Sequence, residues 1–189
     1  MTRLLADFSG RHVVVDASHD FLSAAARHVP SHVEFHESLF ESFTPGDRFD
    51  VVVMSYILEH VADPSALVAR ARTWLKEGGF LFAAVPNSRA LSRQLGRSLG
   101  VVKDLYGITP LEQIHGHRRS YDRTSLDQDI KSGGGNIFLR GGLMMKPFST
   151  HQMDEMLKTG IIGNEHLDAL LELGAEYPDL THTVYALVS

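Results

Sequence analysis

Three continuous apolar runs constrain the fold of this chain more than any other feature. They are HVVVD at 12–16, FDVVVMS at 49–55 and FLFAAVPN at 80–87. Each run is apolar throughout and does not alternate, which is typical of parallel strands buried on both faces. Helix-like segments separate them, so the sequence predicts an α/β domain, a parallel sheet with helices on both faces. The run at 49–55 is the most apolar and is expected to lie at the centre of the sheet.

Helix start and stop signals fit this alternation. Ser18 is expected to cap a helix that precedes a short strand at 33–37. Asp63 and Pro64 form a cap and first-turn pair for a helix that is expected to end at Gly78 and Gly79. The apolar face of that helix would carry Leu67, Val68, Ala71, Trp74 and Leu75.

The second half of the chain is less regular. The pattern predicts a helix from Ser88 to about Gly96, and then a loop or lid over 97–121 with little regular structure. A further helix would start at Asp122 or Thr124 and end at the glycines 133–135. The remaining expected elements are a strand at 136–143, an α-hairpin within 147–174 whose helices are capped by Ser149 and Asn164 and end at Gly160 and Gly174, and a closing strand at 182–189.

Length and composition exclude several classes of protein. A chain of 189 residues with 43% hydrophobic residues is expected to form one soluble domain, 1–189, without disulfides or a structural metal. The absence of cysteine excludes disulfides and thiolate sites, and it favours the cytoplasm. A net charge of −5 argues against a nucleic-acid partner, and no apolar run is long enough to cross a membrane.

Candidate site residues follow three of the predicted strands. Asp16 ends the first, the segment from Ser55 to His60 follows 49–55, and Pro86 and Asn87 follow the fourth. In a doubly wound sheet, ligands bind at the carboxyl ends of the strands. A carboxylate such as Asp16 can accept hydrogen bonds from both hydroxyls of a ribose.

Together, VVVDAS, FDVVVMSYILEHVADP and LKEGGFLFAAVPN resemble the class I S-adenosylmethionine-dependent methyltransferases. The small-molecule enzymes of the ubiquinone-biosynthesis type are the most similar. The strongest part of the resemblance is LEHVADPSALVARARTWLKEGGFLFAAVPN, and the family-like pattern extends from the N-terminus to about residue 140. The resemblance implies a doubly wound Rossmann-like sheet, and 147–174 looks like a C-terminal helical hairpin insertion found in a subset of the family.

The resemblance also implies roles for individual residues. His60 and His117 would be catalytic, and S-adenosylmethionine would be the cofactor. Its ribose would bind at Asp16, Ala17 and Ser18, its adenine would pack on Leu39 and Phe40, and its methionine part would face Ser55 and Tyr56. The acceptor, a small molecule, would contact His115, Arg118 and Asn87.

One departure from the family pattern affects the N-terminus. The family's glycine-rich loop lies roughly 20 residues before the ribose-binding acid. Here only 15 residues precede Asp16, and Gly10 is the only glycine among them. The first central strand and its glycine loop are therefore expected to be missing. Either the natural start lies upstream, or the chain is a truncated, weakly binding or inactive methyltransferase.

Simpler interpretations stand beside these roles. Asp16 could cap a helix, and Glu59 and His60 could be solvated residues before one. Arg118 and Arg119 could clamp an anionic substrate or form an ordinary basic loop. No metal site is expected, because no acidic or cysteine residue has a convincing spacing to His115 and His117.

Three functions therefore remain open. The first is methyl transfer to an oxygen, nitrogen or carbon of a small molecule. The second is a non-catalytic methyltransferase-fold remnant that acts as a binding or assembly module, with a homodimer that fills the missing strand. The third, a nicotinamide-dependent oxidoreductase, is disfavoured because the phosphate-binding loop is also absent and LEHVADP would have no role.

Overall fold

Internal contacts divide the chain into two units, Met1–Asp47 and Arg48–Ser189, in a computed structural model that describes residues 1–189. The first unit contains α1 (Thr2–Ala6), β1 (His12–Asp16), α2 (His19–Ala26) and β2 (Val33–Glu37). β1 and β2 pair in parallel, with His12 opposite Val33 and Asp16 opposite Glu37. The predicted strands at 12–16 and 33–37 are therefore confirmed.

The second unit contains a four-stranded sheet in the order β3, β4, β6, β5. Its strands are β3 (Phe49–Ser55), β4 (Leu75–Pro86), β5 (Ile137–Leu143) and β6 (Thr183–Val188). β3 and β4 pair in parallel, whereas β6 runs antiparallel to both β4 and β5. The sheet is mixed, and the expectation of purely parallel pairing holds only for the earlier strands.

Six α-helices complete the second unit. They are α3 (Pro64–Thr73), α4 (Leu91–Ser98), α5 (Pro110–Ile114), α6 (Arg123–Ser132), α7 (Thr150–Lys158) and α8 (Asn164–Glu176), with a short 3-10 turn at Pro178–Leu180. The predicted caps are found at Asp63, Asp122 and Ser149, each of which accepts a backbone N–H three residues on. No helix is both long and apolar enough to span a bilayer.

β3 lies at the edge of its sheet, so the expectation that 49–55 is central was wrong. β4 takes a central place because β3 and β6 pair with its two sides, and Leu81, Ala83 and Val85 of β4 are fully buried. Val51 of β3 is 43% exposed. β1 and β3 each have one strand partner, so each leaves one backbone edge without a ladder in its own sheet.

Helix α3 ends earlier than predicted, and β4 begins earlier. The carbonyl of Trp74 accepts the N–H of Phe49, which draws the chain into the sheet at Leu75. The register then shifts between Phe49 and Val51, so residues 76–79 bulge from β4. Gly79 is required there, because a Cβ would lie 2.8 Å from the carbonyl oxygen of Asp50.

Three other helical segments differ from the prediction. α4 starts at Leu91 after Ala90, and Ser88 does not cap it. Gly163 precedes α8, which runs through Gly174 to Glu176 because that glycine is buried against the backbone of 144–145. The segment 97–121 contains α5, whose start is fixed by a capping box between Thr109 and Glu112.

Candidate active site at the ends of β3 and β4

A cavity of about 90 Å³ lies in the second unit, where the chain leaves the carboxyl ends of β3 and β4. Parallel strands place their following loops on the same side of a sheet, which is where α/β proteins bind ligands. The residues that line the cavity are Glu59, Pro86, Asn87, Ser88, Arg93, Glu112, His117, Arg119, Ser120, Tyr121 and His182.

The loop after β3 turns sharply at Tyr56. Its backbone is left-handed, with φ of 58°, a conformation that non-glycine residues seldom adopt. Two contacts hold it: the Tyr56 N–H donates to the carbonyl of Ala84, and its hydroxyl lies 2.5 Å from the hydroxyl of Thr183. The strained turn is thus fixed to β4 and β6, three residues before Glu59.

Glu59 is a buried acid without a hydrogen-bond partner. The residue is 1% exposed, and neither carboxylate oxygen accepts a hydrogen bond. Burial raises the pKa of Glu59 to about 7, because the charged form loses its hydration. A buried, unpaired carboxyl group at a cavity wall is a frequent feature of functional sites.

Two histidines stand next to this carboxyl group. Nε2 of His60 lies 3.9 Å from Oε1 of Glu59, and the rings of His60 and His117 meet edge to face with centroids 4.7 Å apart. Burial lowers the pKa of His117, and the neighbouring His60 lowers it further. We call these residues the Glu59–His60–His117 cluster; one ligand-type atom from each lies within 4.8 Å of the others.

Arg118 and Arg119 fasten the loop that carries His117 to the loop that carries Glu59 and His60. The backbone N–H of Arg118 donates to the carbonyl of Glu59, and its Nε donates to the carbonyl of His60. The guanidinium of Arg119 donates to three more carbonyls, those of Leu58, Val61 and Ala62. The loops that carry the cluster are therefore joined by hydrogen bonds from Arg118 and Arg119 to backbone carbonyls, and these bonds do not involve the side chains of the cluster.

The guanidinium groups near the cavity bind partners within the protein, although Nε of Arg93 has no hydrogen-bond partner. Arg93 pairs with Glu112 at 2.8 Å and also donates to the carbonyl of Gly107. Arg119 is held by the carbonyls described above, so the clamp that Arg118 and Arg119 could have offered an anion is directed at the protein's own backbone. The cavity lining thus includes the unpaired carboxyl group of Glu59 and the imidazoles of His117 and His182, and His60 lies next to Glu59 and His117 outside that lining.

The other predicted acceptor residues differ in their surroundings. Asn87 lines the cavity, but its amide donates to the carbonyls of Asp179 and Thr181 and accepts the N–H of Arg89. His115 is exposed at the end of α5 and does not line the cavity. Arg118 is exposed and bound to the backbone of His60.

Most of the predicted cofactor residues lie in the first unit. Oδ1 of Asp16 accepts the N–H of Ser18, and the Ser18 hydroxyl accepts the N–H of Phe21 at the start of α2. Ala17 is exposed, Leu39 is exposed and Phe40 is half-buried. Ser55 and Tyr56, in the second unit, are half-buried and exposed.

The sequence placed Glu59 in a candidate site segment, 55–60, but only His60 and His117 were given a catalytic role. The available signal was an acid directly after a strand and between Leu58 and His60, in the position where α/β proteins hold ligands. Its backbone is bound by the loop of Arg118 and Arg119, which lies about 60 residues away in the chain and could not be placed from spacing alone.

Solved structures with this fold are S-adenosylmethionine-dependent methyltransferases. The enzyme from Mesorhizobium loti superposes with a TM-score of 0.61 at 13% identity, over 95% of this chain and 80% of that one. The N-methyltransferase NodS from Bradyrhizobium japonicum, in complex with S-adenosyl-L-homocysteine, gives 0.56 at 12% identity, over 98% and 69%. These likenesses establish a Rossmann-like methyltransferase fold.

Sequence comparison establishes the family. Residues 2–135 match the methyltransferase domain family, and the chain belongs to it. The ubiquinone biosynthesis O-methyltransferase of Hydrogenovibrio crunogenus is 25% identical over 147 residues, 75% of this chain and 59% of that protein. The enzyme of the same name from Rhodopseudomonas palustris is 33% identical over 89 residues, 46% of this chain and 34% of that protein. The chain thus spans about a third to three-fifths of these relatives.

Replacement of Glu59 by glutamine should stabilise the protein, relative to the parent, more at high pH than at low pH. The raised pKa means that folding opposes ionisation of Glu59, so its contribution to stability is complete below about pH 4.5 and is lost as the pH rises through about 7. Between pH 5 and pH 8, the stability of Glu59→Gln relative to the parent protein should rise by about 2–3 kcal/mol.

Urea unfolding at both pH values, with a chelator present, measures this change. The exposed Glu77→Gln removes one negative charge of the second unit and serves as the control. Equal behaviour of the two variants across this pH range would show that Glu59 is not buried as a free carboxyl group.

Replacement of Arg119 by lysine should loosen the two loops. A single ammonium group cannot reach three carbonyls in the fork geometry of a guanidinium, so Arg119→Lys should cost about 2 kcal/mol of unfolding free energy. Denaturant unfolding tests this, with Arg97→Lys on the exposed end of α4 as the matched control. A variant as stable as that control would contradict the bridging role.

Proposed function

We propose that this protein transfers the methyl group of S-adenosylmethionine to a hydroxyl or amino group of a small molecule. The observation that carries the proposal is the cavity at the carboxyl ends of β3 and β4, in a chain of the methyltransferase domain family. Glu59 and His117 line this cavity, and His60 lies next to both of them. Relatives named as ubiquinone biosynthesis O-methyltransferases support a small-molecule acceptor.

The cofactor is assigned by the family and by the structural neighbours, which include complexes with S-adenosylmethionine and S-adenosylhomocysteine. The proposal places the ribose hydroxyls on Asp16, beside Ala17 and Ser18, and the adenine on Leu39 and Phe40. One Asp16 oxygen accepts the N–H of Ser18, and this bond fixes the carboxylate at the end of β1. In the second unit, Ser55 and Tyr56 are the proposed contacts of the methionine part.

The volume and the polar groups of the cavity restrict the chemical class of the acceptor. About 90 Å³ is well below the 300–1,000 Å³ of most pockets for whole ligands, so the space suits the reacting group of an acceptor with a few neighbouring atoms. An unpaired carboxyl group and two imidazoles favour a group that donates hydrogen bonds. Arg93 and Arg119 are engaged elsewhere, which disfavours a carboxylate or phosphate at this point.

The reaction is an in-line displacement at the methyl carbon. A lone pair of the acceptor oxygen or nitrogen forms the new bond to carbon, and the carbon–sulfur bond breaks with its electron pair passing to sulfur. The acceptor's proton passes to an imidazole of the Glu59–His60–His117 cluster. Burial lowers the pKa of His117, which keeps its imidazole neutral and able to accept a proton. Positioning of the two reactants can supply up to about 7–11 kcal/mol of the barrier reduction.

A non-catalytic assembly module is the second candidate, and one observation favours it. β1 and β3 each have a single strand partner, and Val51 on β3 is exposed. An open strand edge can pair with another chain. This function predicts a dimer in solution together with no affinity for the cofactor.

Replacement of Asp16 by asparagine tests the cofactor assignment. Asparagine preserves the shape and the contact with Ser18 but removes the charge that the two ribose hydroxyls would share. Calorimetric titration with S-adenosylhomocysteine should show binding by the parent chain and about tenfold weaker binding by Asp16→Asn, a loss of about 1.4 kcal/mol.

Asp20→Asn, on the exposed first turn of α2, is the matched control and should bind as the parent does. Sedimentation velocity on the same samples gives the oligomeric state. A dimer without cofactor affinity would replace methyl transfer with the assembly function.

A further inference from the structure

We propose that His182 binds the methyl acceptor and donates a hydrogen bond from its imidazole N–H to the oxygen atom that is methylated. His182 directly precedes β6 and lies outside residues 2–135, the part of the chain that matches the methyltransferase domain family. This role deepens the proposed function and rests on it for methyl transfer. The binding of a hydroxyl compound beside His182 can be measured without turnover.

The fold places His182 at the cavity. β6 runs antiparallel to β4 with Thr183 opposite Pro86, so the start of β6 lies beside the carboxyl end of β4. The N–H of His182 donates to the carbonyl of Met144, and its own carbonyl accepts the N–H of Asn87. The backbone of His182 is thus fixed on both sides, and the residue lines the cavity.

The ring of His182 is available to a ligand. Five polar side chains of the cavity lining have partners within the protein, namely those of Asn87, Arg93, Glu112, Arg119 and Tyr121. The imidazole of His182 takes part in no hydrogen bond or ion pair. A half-buried imidazole without a partner can supply a hydrogen bond to a bound molecule.

Backbone strain points independently to the same place. Tyr56 and Met144 are the only two residues other than glycine with a positive φ, at 58° and 60°. Each is bound to the start of β6: the Tyr56 hydroxyl to the hydroxyl of Thr183, and the Met144 carbonyl to the N–H of His182. Left-handed backbone at such residues lowers stability and is concentrated at functional sites. The segment 182–183 is therefore held by both strained positions of the chain.

The surroundings of His182 keep its imidazole neutral. Burial lowers the pKa of His182, and the positive charge of Lys146 lowers it further. The Lys146 ammonium donates to the hydroxyl of Thr150 and does not line the cavity. A positive charge favours the tautomer whose unprotonated nitrogen is nearer to it. The N–H is then on the other side of the ring, where it is available to the acceptor.

A neutral imidazole N–H suits a hydroxyl acceptor better than an amine. A hydroxyl oxygen has one proton and two lone pairs. The proton passes to an imidazole of the Glu59–His60–His117 cluster, one lone pair forms the bond to the methyl carbon, and the second accepts the N–H of His182. A neutral amine has a single lone pair, which the new bond consumes, so the N–H of His182 would be left unpaired. We therefore expect His182 to select oxygen over nitrogen.

Phenol and aniline are the probes for the test, because they share a ring and differ in the group that would face His182. The chain is labelled with nitrogen-15 histidine and titrated with phenol in the absence of cofactor. The ring signals of His182 are assigned by their absence from the spectrum of His182→Phe. The parent protein should show saturable phenol-induced shifts of the His182 ring signals, and the same spectra should show a neutral imidazole.

The ratio of the two affinities measures the selectivity, and the ring signals of His117 report both. The parent should bind phenol about three- to tenfold more tightly than aniline, the range expected of one hydrogen bond. His182→Phe preserves an aromatic ring but removes both nitrogens, and it should bind the two probes about equally. His151→Phe, on the exposed first turn of α7, is the matched control and should keep the parent's ratio. Circular dichroism checks the folding of both variants.

Either of two results would overturn the role of His182. One is a phenol titration of the parent protein that leaves the His182 signals unchanged, whether or not those of His117 shift. The other is a folded His182→Phe variant that prefers phenol to aniline as strongly as the parent does.

The outcome is separable from that of the proposed function. Phenol binding at His182 with the expected ratio, in a chain that transfers no methyl group, would leave the contact intact and refute the function. Methyl transfer to a hydroxyl compound that proceeds equally well in His182→Phe would refute the contact and support the function.

Discussion

The burial of the Glu59 carboxyl group without a partner is the constraint on which the candidate site depends. An isolated charge in an apolar interior is strongly disfavoured, and the protein meets this cost in part by raising the pKa of Glu59 to about 7. The strained turn at Tyr56 and the hydrogen bonds of Arg118 and Arg119 keep the acid in place. A buried carboxyl group without a hydrogen-bond partner and a strained turn both lower stability, a pattern that is typical of functional sites.

Much of the fold could be predicted because local signals and tertiary structure agree. The strands at 12–16, 33–37 and 49–55 have the predicted bounds, and Ser18, Asp63, Asp122 and Ser149 cap helices as their side chains suggested. The failures arose where tertiary contacts override local pattern. Trp74 and Leu75 continue the apolar face of α3 in sequence, but the hydrogen bond from Phe49 draws this segment into β4.

The position of β3 shows a different limit. Apolar residues on both faces correctly predicted a strand of the sheet, but they do not determine how many strands pair with it. β3 has one partner, and the central place belongs to β4, whose residues are more completely buried. The first central strand, which the sequence predicts to be missing, would pair with this open edge of β3. Its absence remains a prediction.

The site was only partly visible in the sequence. His60 and His117 were named from the family resemblance, and the structure brings their rings together. Glu59 was given no role, and a solvated position before a helix stood as its simpler interpretation, because burial is a property of the assembled loops. The carboxyl group of Glu59 lies 58 residues before His117 in the chain, and the hydrogen bonds of Arg118 and Arg119 bring the two side chains close together.

Titration of Glu59 itself tests most directly whether its carboxyl group is buried without a partner. Carbon-13 NMR of the side-chain carboxyl groups, in chelator-treated protein and with the Glu59 signal assigned through Glu59→Gln, gives its pKa without reference to activity. A buried, unpaired carboxyl group should give a midpoint near pH 7. A midpoint near 4.5, the value for a solvated glutamate, would show that the carboxyl group is hydrated or paired and would contradict its burial without a partner.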